Sequence, residues 1–305
     1  MKIVQLEDAP LVRGLEHRGG TFHSRTTAEG MPGTPGNFKF SLSKLGTDYS
    51  GPRHRHNFDQ YRYMIEGESD YGQDGPLTAG MLGYYPEGVP YGPQVNKTEI
   101  YCAVLQFGGA SGGGYLLPRE VKAGMEELKA FGTFKDGIFH RNDGVPGRRN
   151  CDAYQAIWEH VHGREMVYPK GRYDAPIFAD SRNFDWAPVA DSPGVFEKLF
   201  GVWTERRTEA GLLRMEAGAR HEISGRGVYL VLTGKGSCEG NLLHQYTTVF
   251  LDSGERTVLE AHEETEFLHY GLPDLSNMMA LGHTSGVAPQ AAKSPQAAKQ
   301  PQAAE

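Results

Sequence analysis

Only three of the 305 residues are cysteine, and Cys102, Cys151 and Cys238 lie far apart. An odd, scattered set is neither a disulfide framework nor a zinc-binding spacing. Cys102, inside the apolar run EIYCAVLQF, reads as a small buried hydrophobe. Positive charge is also scarce, since 31 Lys and Arg against 38 Asp and Glu give a formal charge of −7. The basic clusters HRHNFDQYR and GVPGRRNC are too short to make the patch that nucleic acid or an anionic membrane requires. No run of about 18 apolar residues is available for a membrane span, and the opening MKIVQLEDAP has no signal-type apolar segment. These absences point to a cytoplasmic protein whose partner is a small-molecule substrate, not nucleic acid or membrane. They leave homo-oligomerisation open.

Glycine and aromatics are plentiful: 40 Gly, 15 Tyr and 14 Phe. Glycine at this level fits many tight turns and therefore many short strands. Two segments read as strand-rich barrels, with β-branched and aromatic runs closed by Gly, Asp or Pro. They also resemble each other. YMIEGES matches LVLTGKG, YYPEGVPY matches FLDSGERT, and TEIYCAV matches TEFLHYG at nearly constant offset, as an internal repeat of one barrel would. Between them lie two helical patterns. PREVKAGMEELKAFG carries Val121, Met125, Leu128 and Phe131 on one stripe between Pro118 and Gly132. CDAYQAIWEHVHG carries Tyr154, Ile157, Trp158 and Val161, with Asp152 as cap and Gly163 as stop. The expected domains are 1–117, a first barrel with N-terminal strands; 118–180, a helical connection; 181–284, a second barrel; and 285–305, a Pro-Gln-Ala-Ala repeat tail with little to bury.

The stretch GPRHRHNFDQYRYMIEG puts His54 and His56 two apart, followed by Gln60 and Gly67. Alternate residues of a strand share a face, so both imidazoles can look into one cavity. With Gly80, Pro86, Gly88 and Tyr91 downstream, the pattern resembles the cupin superfamily in its two-barrel form. His54, His56, Gln60 and Gly67 match the last four marked positions of the family's first motif, with Gln60 where Glu is usual. Gly80, Pro86 and Gly88 match the second motif in spacing, while Tyr91 takes the place of its histidine and Val95 that of its asparagine. The local texture is similar to the gentisate-type ring-cleaving dioxygenases, and Arg62 falls at an arginine they share.

The resemblance implies an all-β double cupin, two jelly-roll barrels with a helical segment between them. It implies one transition-metal ion in the first barrel, iron first, with manganese, copper, nickel or zinc as alternatives, held by His54, His56, Gln60 and Tyr91. The implied activity is that of a metal-dependent oxidoreductase of dioxygenase type, acting on a small aromatic or enolisable substrate. Arg62 and Tyr91 would be catalytic, and Arg62, Tyr84 and Tyr85 would line the substrate pocket. An ordinary phenol ionises near pH 10, so Tyr91 ligates well only if the metal drives off its proton. Two other readings stay open: a metal-free isomerase or lyase with Tyr91 and His54 or His56 as acid and base, and a non-enzymatic ligand binder. A surface or inter-strand ion pair is the alternative role of Arg62.

The second barrel offers His221, Ile223, Gly227 and Thr257 at the corresponding positions, which is not a ligand set. His160, His162 and Glu165 sit where a helix ends, and histidines suit the negative end of its dipole. His17, His23 and His140 are isolated, and GGASGGG lacks the lysine of a phosphate-binding loop.

Overall fold

The computed structural model describes residues 1–14, 19–34, 36–109, 111 and 114–273. The Pro-Gln-Ala-Ala tail and His17 lie outside the described residues, as does part of GGASGGG. The chain begins with β1 (Lys2–Val4), β2 (Leu11–Arg13), β3 (Phe22–Glu29), β4 (Phe38–Leu45), β5 (Ser50–Gly51) and β6 (Asp59–Glu66). It continues with β7 (Glu68–Asp70), β8 (Pro76–Thr78), β9 (Met81–Tyr85), β10 (Gln94–Asn96) and β11 (Ile100–Phe107). Next come α1 (Pro118–Leu128), β12 (Gly132–Lys135), β13 (Ile138–Arg141), β14 (Asn150–Asp152), α2 (Ala153–His162) and β15 (Ile177–Asp180). The remainder is β16 (Ala187–Pro188), β17 (Val195–Val202), β18 (Glu209–Met215), β19 (Arg220–Ser224) and β20 (Gly227–Thr233). It closes with β21 (Gly236–Cys238), β22 (Asn241–Leu243), β23 (Thr248–Leu251), β24 (Arg256–Ala261) and β25 (Thr265–Gly271).

Each barrel pairs a seven-stranded sheet with a four-stranded one. The first uses β15-β9-β6-β11-β4-β3-β2 and β5-β10-β7-β8; the second uses β1-β23-β20-β25-β18-β17-β16 and β19-β24-β21-β22. The repeat read from the sequence therefore occupies equivalent places, with β6, β9 and β11 matching β20, β23 and β25. Gly67 and Gly234 show the same equivalence in detail. Both have positive φ, 88° and 83°. A Cβ on either would come within 2.4 and 2.3 Å of a facing carbonyl, Glu99 O and Glu264 O. Only glycine fits there.

Two strands correct the domain boundaries expected from sequence. β1, assigned to the first barrel, pairs with β23 of the second, and β15, assigned to the helical connection, pairs with β9 of the first. Each barrel is thus edged by a strand from outside its own segment.

The two seven-stranded sheets pack face to face. Phe38, Phe40, Tyr61, Leu105 and Phe107 of the first meet Leu212, Leu230, Leu268 and Tyr270 of the second in one buried cluster. Strands covered on both faces read as nearly continuous apolar runs, which is why β11 carries Ile100, Cys102, Ala103, Val104 and Leu105 in close succession. The second barrel's interior is filled by Leu213, Met215, Ile223, Val231, Leu243 and Phe267.

In the connecting segment, Pro118 opens α1, and Val121, Met125 and Leu128 are buried. Phe131 lies beyond the helix end and is 42% exposed, so the expected stripe is one residue shorter. Asp152 caps α2 by accepting from Gln155 N, and Gly163 stops it at φ 62°. The three cysteines are free and buried. Among the described residues no helix is long and apolar enough to cross a membrane.

Candidate functional site

The first barrel differs from the second in what it points inward. On β4 the odd positions Lys39, Ser41 and Ser43 face the interior while Phe38, Phe40 and Leu42 join the inter-barrel core. On β6, Gln60 and Arg62 face inward; on β11, Cys102, Val104 and Gln106 do. Strand register sets these in rows. Lys39, Gln106 and Gln60 are directly opposed, and so are Ser41, Val104 and Arg62. They line a cavity of about 450 Å³, whose end is covered by Val121, Lys122 and Met125 of α1 and Tyr154 of α2.

Along one side stand the residues of the sequence motif. The backbones of His54 and Tyr91 exchange hydrogen bonds, His54 N to Tyr91 O at 3.1 Å and Tyr91 N to His54 O at 2.9 Å. Arg53 secures the same junction, donating to Gly92 O at 2.7 Å, Pro90 O at 3.0 Å and Asp74 at 2.9 Å. Gly88 allows this loop to pass Pro169, whose carbonyl oxygen would lie 2.2 Å from a Cβ. His56 stacks on Phe58 with ring centroids 4.2 Å apart.

These contacts bring three donor atoms together. His54 Nε2 lies 3.1 Å from His56 Nε2, which in turn lies 3.4 Å from the Tyr91 hydroxyl. Two atoms bound to one metal at about 2.0–2.1 Å, at angles between square and tetrahedral, stand roughly 2.9–3.4 Å apart. His54 Nδ1 faces the Pro52 carbonyl at 2.7 Å, which places the ring proton there and leaves the Nε2 lone pair directed inward. Two imidazoles and a phenol therefore fit a single transition-metal ion with an open face. Among the described residues no group of three or more His, Cys, Asp and Glu forms a metal set; the third donor is Tyr91.

Gln60 departs from the expected role. It lines the cavity, but its Oε1 accepts from Gln106 Nε2 at 2.9 Å, and among the described residues it makes no hydrogen bond to either imidazole. Tyr84 and Tyr85 also depart. Tyr84 is in register with Tyr61 and stacks on Trp203 at 5.3 Å in the inter-barrel core. Tyr85 packs behind Tyr91, with centroids 4.5 Å apart. Neither lines the cavity.

Arg62 is buried and its Nη1 donates to Tyr71 Oη and to Gln94 Oε1, the latter at 2.9 Å. Among the described residues no carboxylate bonds to it, in contrast to the ion-pair alternative. Lys39, which the sequence reading passed over, is equally buried. Burial lowers its pKa to about 8, against a partial opposing pull from Glu29. Arg13, Arg119 and Lys122 add further positive charge to the lining, and none of the described lining residues is Asp or Glu. In a chain of charge −7, this is a concentrated cationic enclosure.

Three other histidines among the described residues are tied into the fold away from this cluster. His160 Nε2 meets Glu127 at 2.7 Å across the two helices, and His162 bonds the Trp158 carbonyl at 2.9 Å. His221 bonds Ser192 at 2.9 Å in the second barrel.

No family model matches the sequence, and no curated protein matches it. Solved structures do match its fold. A candidate dioxygenase from Nostoc punctiforme aligns with a TM-score of 0.61 at 13% identity, over 90% of this chain and 83% of that one. The oxalate decarboxylase of Lactobacillus farciminis, solved as a formate complex, aligns with a TM-score of 0.53 at 12% identity, over 89% and 86%. A variant of the Bacillus subtilis oxalate decarboxylase aligns at 0.51 and 16%, over 92% and 83%. The chain has the double-cupin fold.

Proposed function

We propose that the first-barrel cavity is the active site of a metal-dependent enzyme of the oxygenase class, acting on a small aromatic or enolisable substrate that carries a carboxylate. The observation that carries this is a buried arginine with no carboxylate partner among the described residues, in a cavity that also presents His54 Nε2, His56 Nε2 and the Tyr91 hydroxyl. Arg62 has donors left to grip a carboxylate or enolate in two-point fashion. The grip orients the substrate, while Phe58 and Val104 supply apolar wall. A metal held by His54, His56 and Tyr91 would supply Lewis acidity.

One observation favours a second reading. The 3.1 Å contact between His54 and His56 is also a hydrogen bond, and together with Tyr91 it makes an acid–base chain suited to a metal-free isomerase or lyase. Oxygen uptake by iron-loaded protein, measured across a panel of hydroxybenzoates and 2-oxo acids, separates the two. The oxygenase reading expects uptake that a chelator abolishes and that Arg62→Met weakens by roughly 10–100-fold in kcat/KM, the worth of a charged hydrogen bond. Turnover without oxygen uptake and untouched by chelator would establish the second reading instead.

A further inference from the structure

The cavity has a second buried cation that the proposed chemistry does not use. Lys39 Nζ makes no hydrogen bond or ion pair among the described residues, and the residue is 8% exposed. Its cross-strand neighbour Glu29 is engaged elsewhere, accepting from Arg119 of α1 at 2.8 Å. Gln106 separates Lys39 from Gln60 on one row, and Arg62 lies on the next row two strands away. Sheet spacing puts the Lys39 and Arg62 Cα atoms about 12 Å apart, with both long side chains directed into the same enclosure. Leaving a buried ammonium uncompensated is costly, and a bound anion is the economical compensation.

We infer that the cavity is built for a substrate with two anionic groups, one held by Arg62 and the other by Lys39, so that Lys39 selects dicarboxylates over monocarboxylates. This rests on the anion-binding reading of the same cavity. Burial lowers the Lys39 pKa to about 8, more than the charge of Glu29 offsets. The charged group acting on Lys39 is Glu29 on β3, which Arg119 of α1 already shares; Arg119 and Lys122 of α1, Tyr154 of α2 and Tyr115, which donates to the neighbouring Gln106, line the same cavity. Binding of a second carboxylate should recharge Lys39 and draw a proton from solvent above pH 8.

Calorimetric titration of the full chain with malonate, succinate and glutarate, each against acetate, propionate and butyrate, tests this. Wild type should bind at least one diacid ten times or more tighter than its monoacid. Lys39→Met should erase that advantage while leaving monoacid affinity within about twofold, and Lys39→Arg should restore part of it. At pH 8.5, titrations in two buffers of different ionisation enthalpy should show proton uptake with diacid in wild type and none in Lys39→Met. Monoacids binding as well as diacids, or a diacid advantage that survives in a folded Lys39→Met, would overturn the role of Lys39 alone. Failure of every carboxylate to bind wild type would overturn the anion-binding reading beneath it.

Discussion

Tyr91 stands where the resemblance puts an imidazole, and its side chain decides what the site can do. If its oxygen ligates a ferric ion, iron-loaded protein should show a visible phenolate charge-transfer band that Tyr91→Phe removes. Tyr91→His should instead tighten binding of divalent metals, because it completes three imidazoles. A colourless ferric protein, or unchanged metal affinity in both variants, would make Tyr91 a wall or proton-holding residue only. The two histidines and this tyrosine were legible in the sequence as a motif, although the histidines stand on the segment before β6 and not on a strand, and an isolated bridge between His54 and Tyr91 brings the two segments together. The partners of that cluster were not. Lys39, Ser41 and Ser43 alternate with Phe38, Phe40 and Leu42, and such alternation reads the same whether the polar face meets bulk water or an internal cavity. Tyr84 and Tyr85 depart for two reasons a single sequence does not contain: register with Tyr61 turns Tyr84 to the inter-barrel core, and Tyr85, in register with Gln60, lies behind Tyr91.

At the scale of elements, β6 and the turn after β9 are joined by a buried carboxyl pair. Glu87 N donates to Asp59 Oδ1 at 2.8 Å, and the Glu87 carboxylate accepts from Ser111 N at 2.8 Å and Ser111 Oγ at 2.5 Å. Burial, then the charge of Glu87, raises the pKa of Asp59 well above the ordinary carboxylate range. The folded state thus favours protonated Asp59 more than the unfolded chain does. Its contribution to stability is present in acid and is lost as pH rises through the folded pKa. Asp59→Asn keeps an acceptor for Glu87 N but cannot ionise, so its melting temperature relative to wild type should be higher at pH 8 than at pH 5. Thermal melts at the two pH values check this, and an equal difference at both would refute it. The capped helix α2, with Asp152 and Gly163 in place, shows how much local structure the sequence carried; the small sheet β12-β13-β14 beside it was not anticipated, because three- and four-residue strands carry too little periodicity to read.

Across the whole molecule, the repeat was readable but the placing of the edge strands was not. β1 and β15 are short, and nothing in their composition tells which barrel they complete. The crossing of β1 to β23 and the shared core of Phe38, Phe40, Tyr61, Leu212, Leu230 and Tyr270 join the two barrels, which should therefore unfold together. Removing residues 1–5 should therefore destabilise the second barrel. It deletes the β1–β23 ladder and the Gln5 Nε2 bond to Leu242 O at 2.9 Å, a loss of about 2–4 kcal/mol at ordinary hydrogen-bond values. Calorimetry should show one unfolding transition, moved down by several degrees. Two separate transitions in the full chain would mean that the barrels unfold independently.

In the proposed site, His54 and His56 of the first barrel, and no residues of the second, hold a transition metal beside an anion-binding cavity. Elemental analysis of untagged protein addresses it most directly, comparing wild type with His54→Ala/His56→Ala and with His221→Ala after identical metal loading and dialysis. The predicted result is about one metal ion per chain in wild type and in His221→Ala, and none in the double variant, with all three folded by circular dichroism. Equal metal in the double variant, or none in loaded wild type, would contradict it.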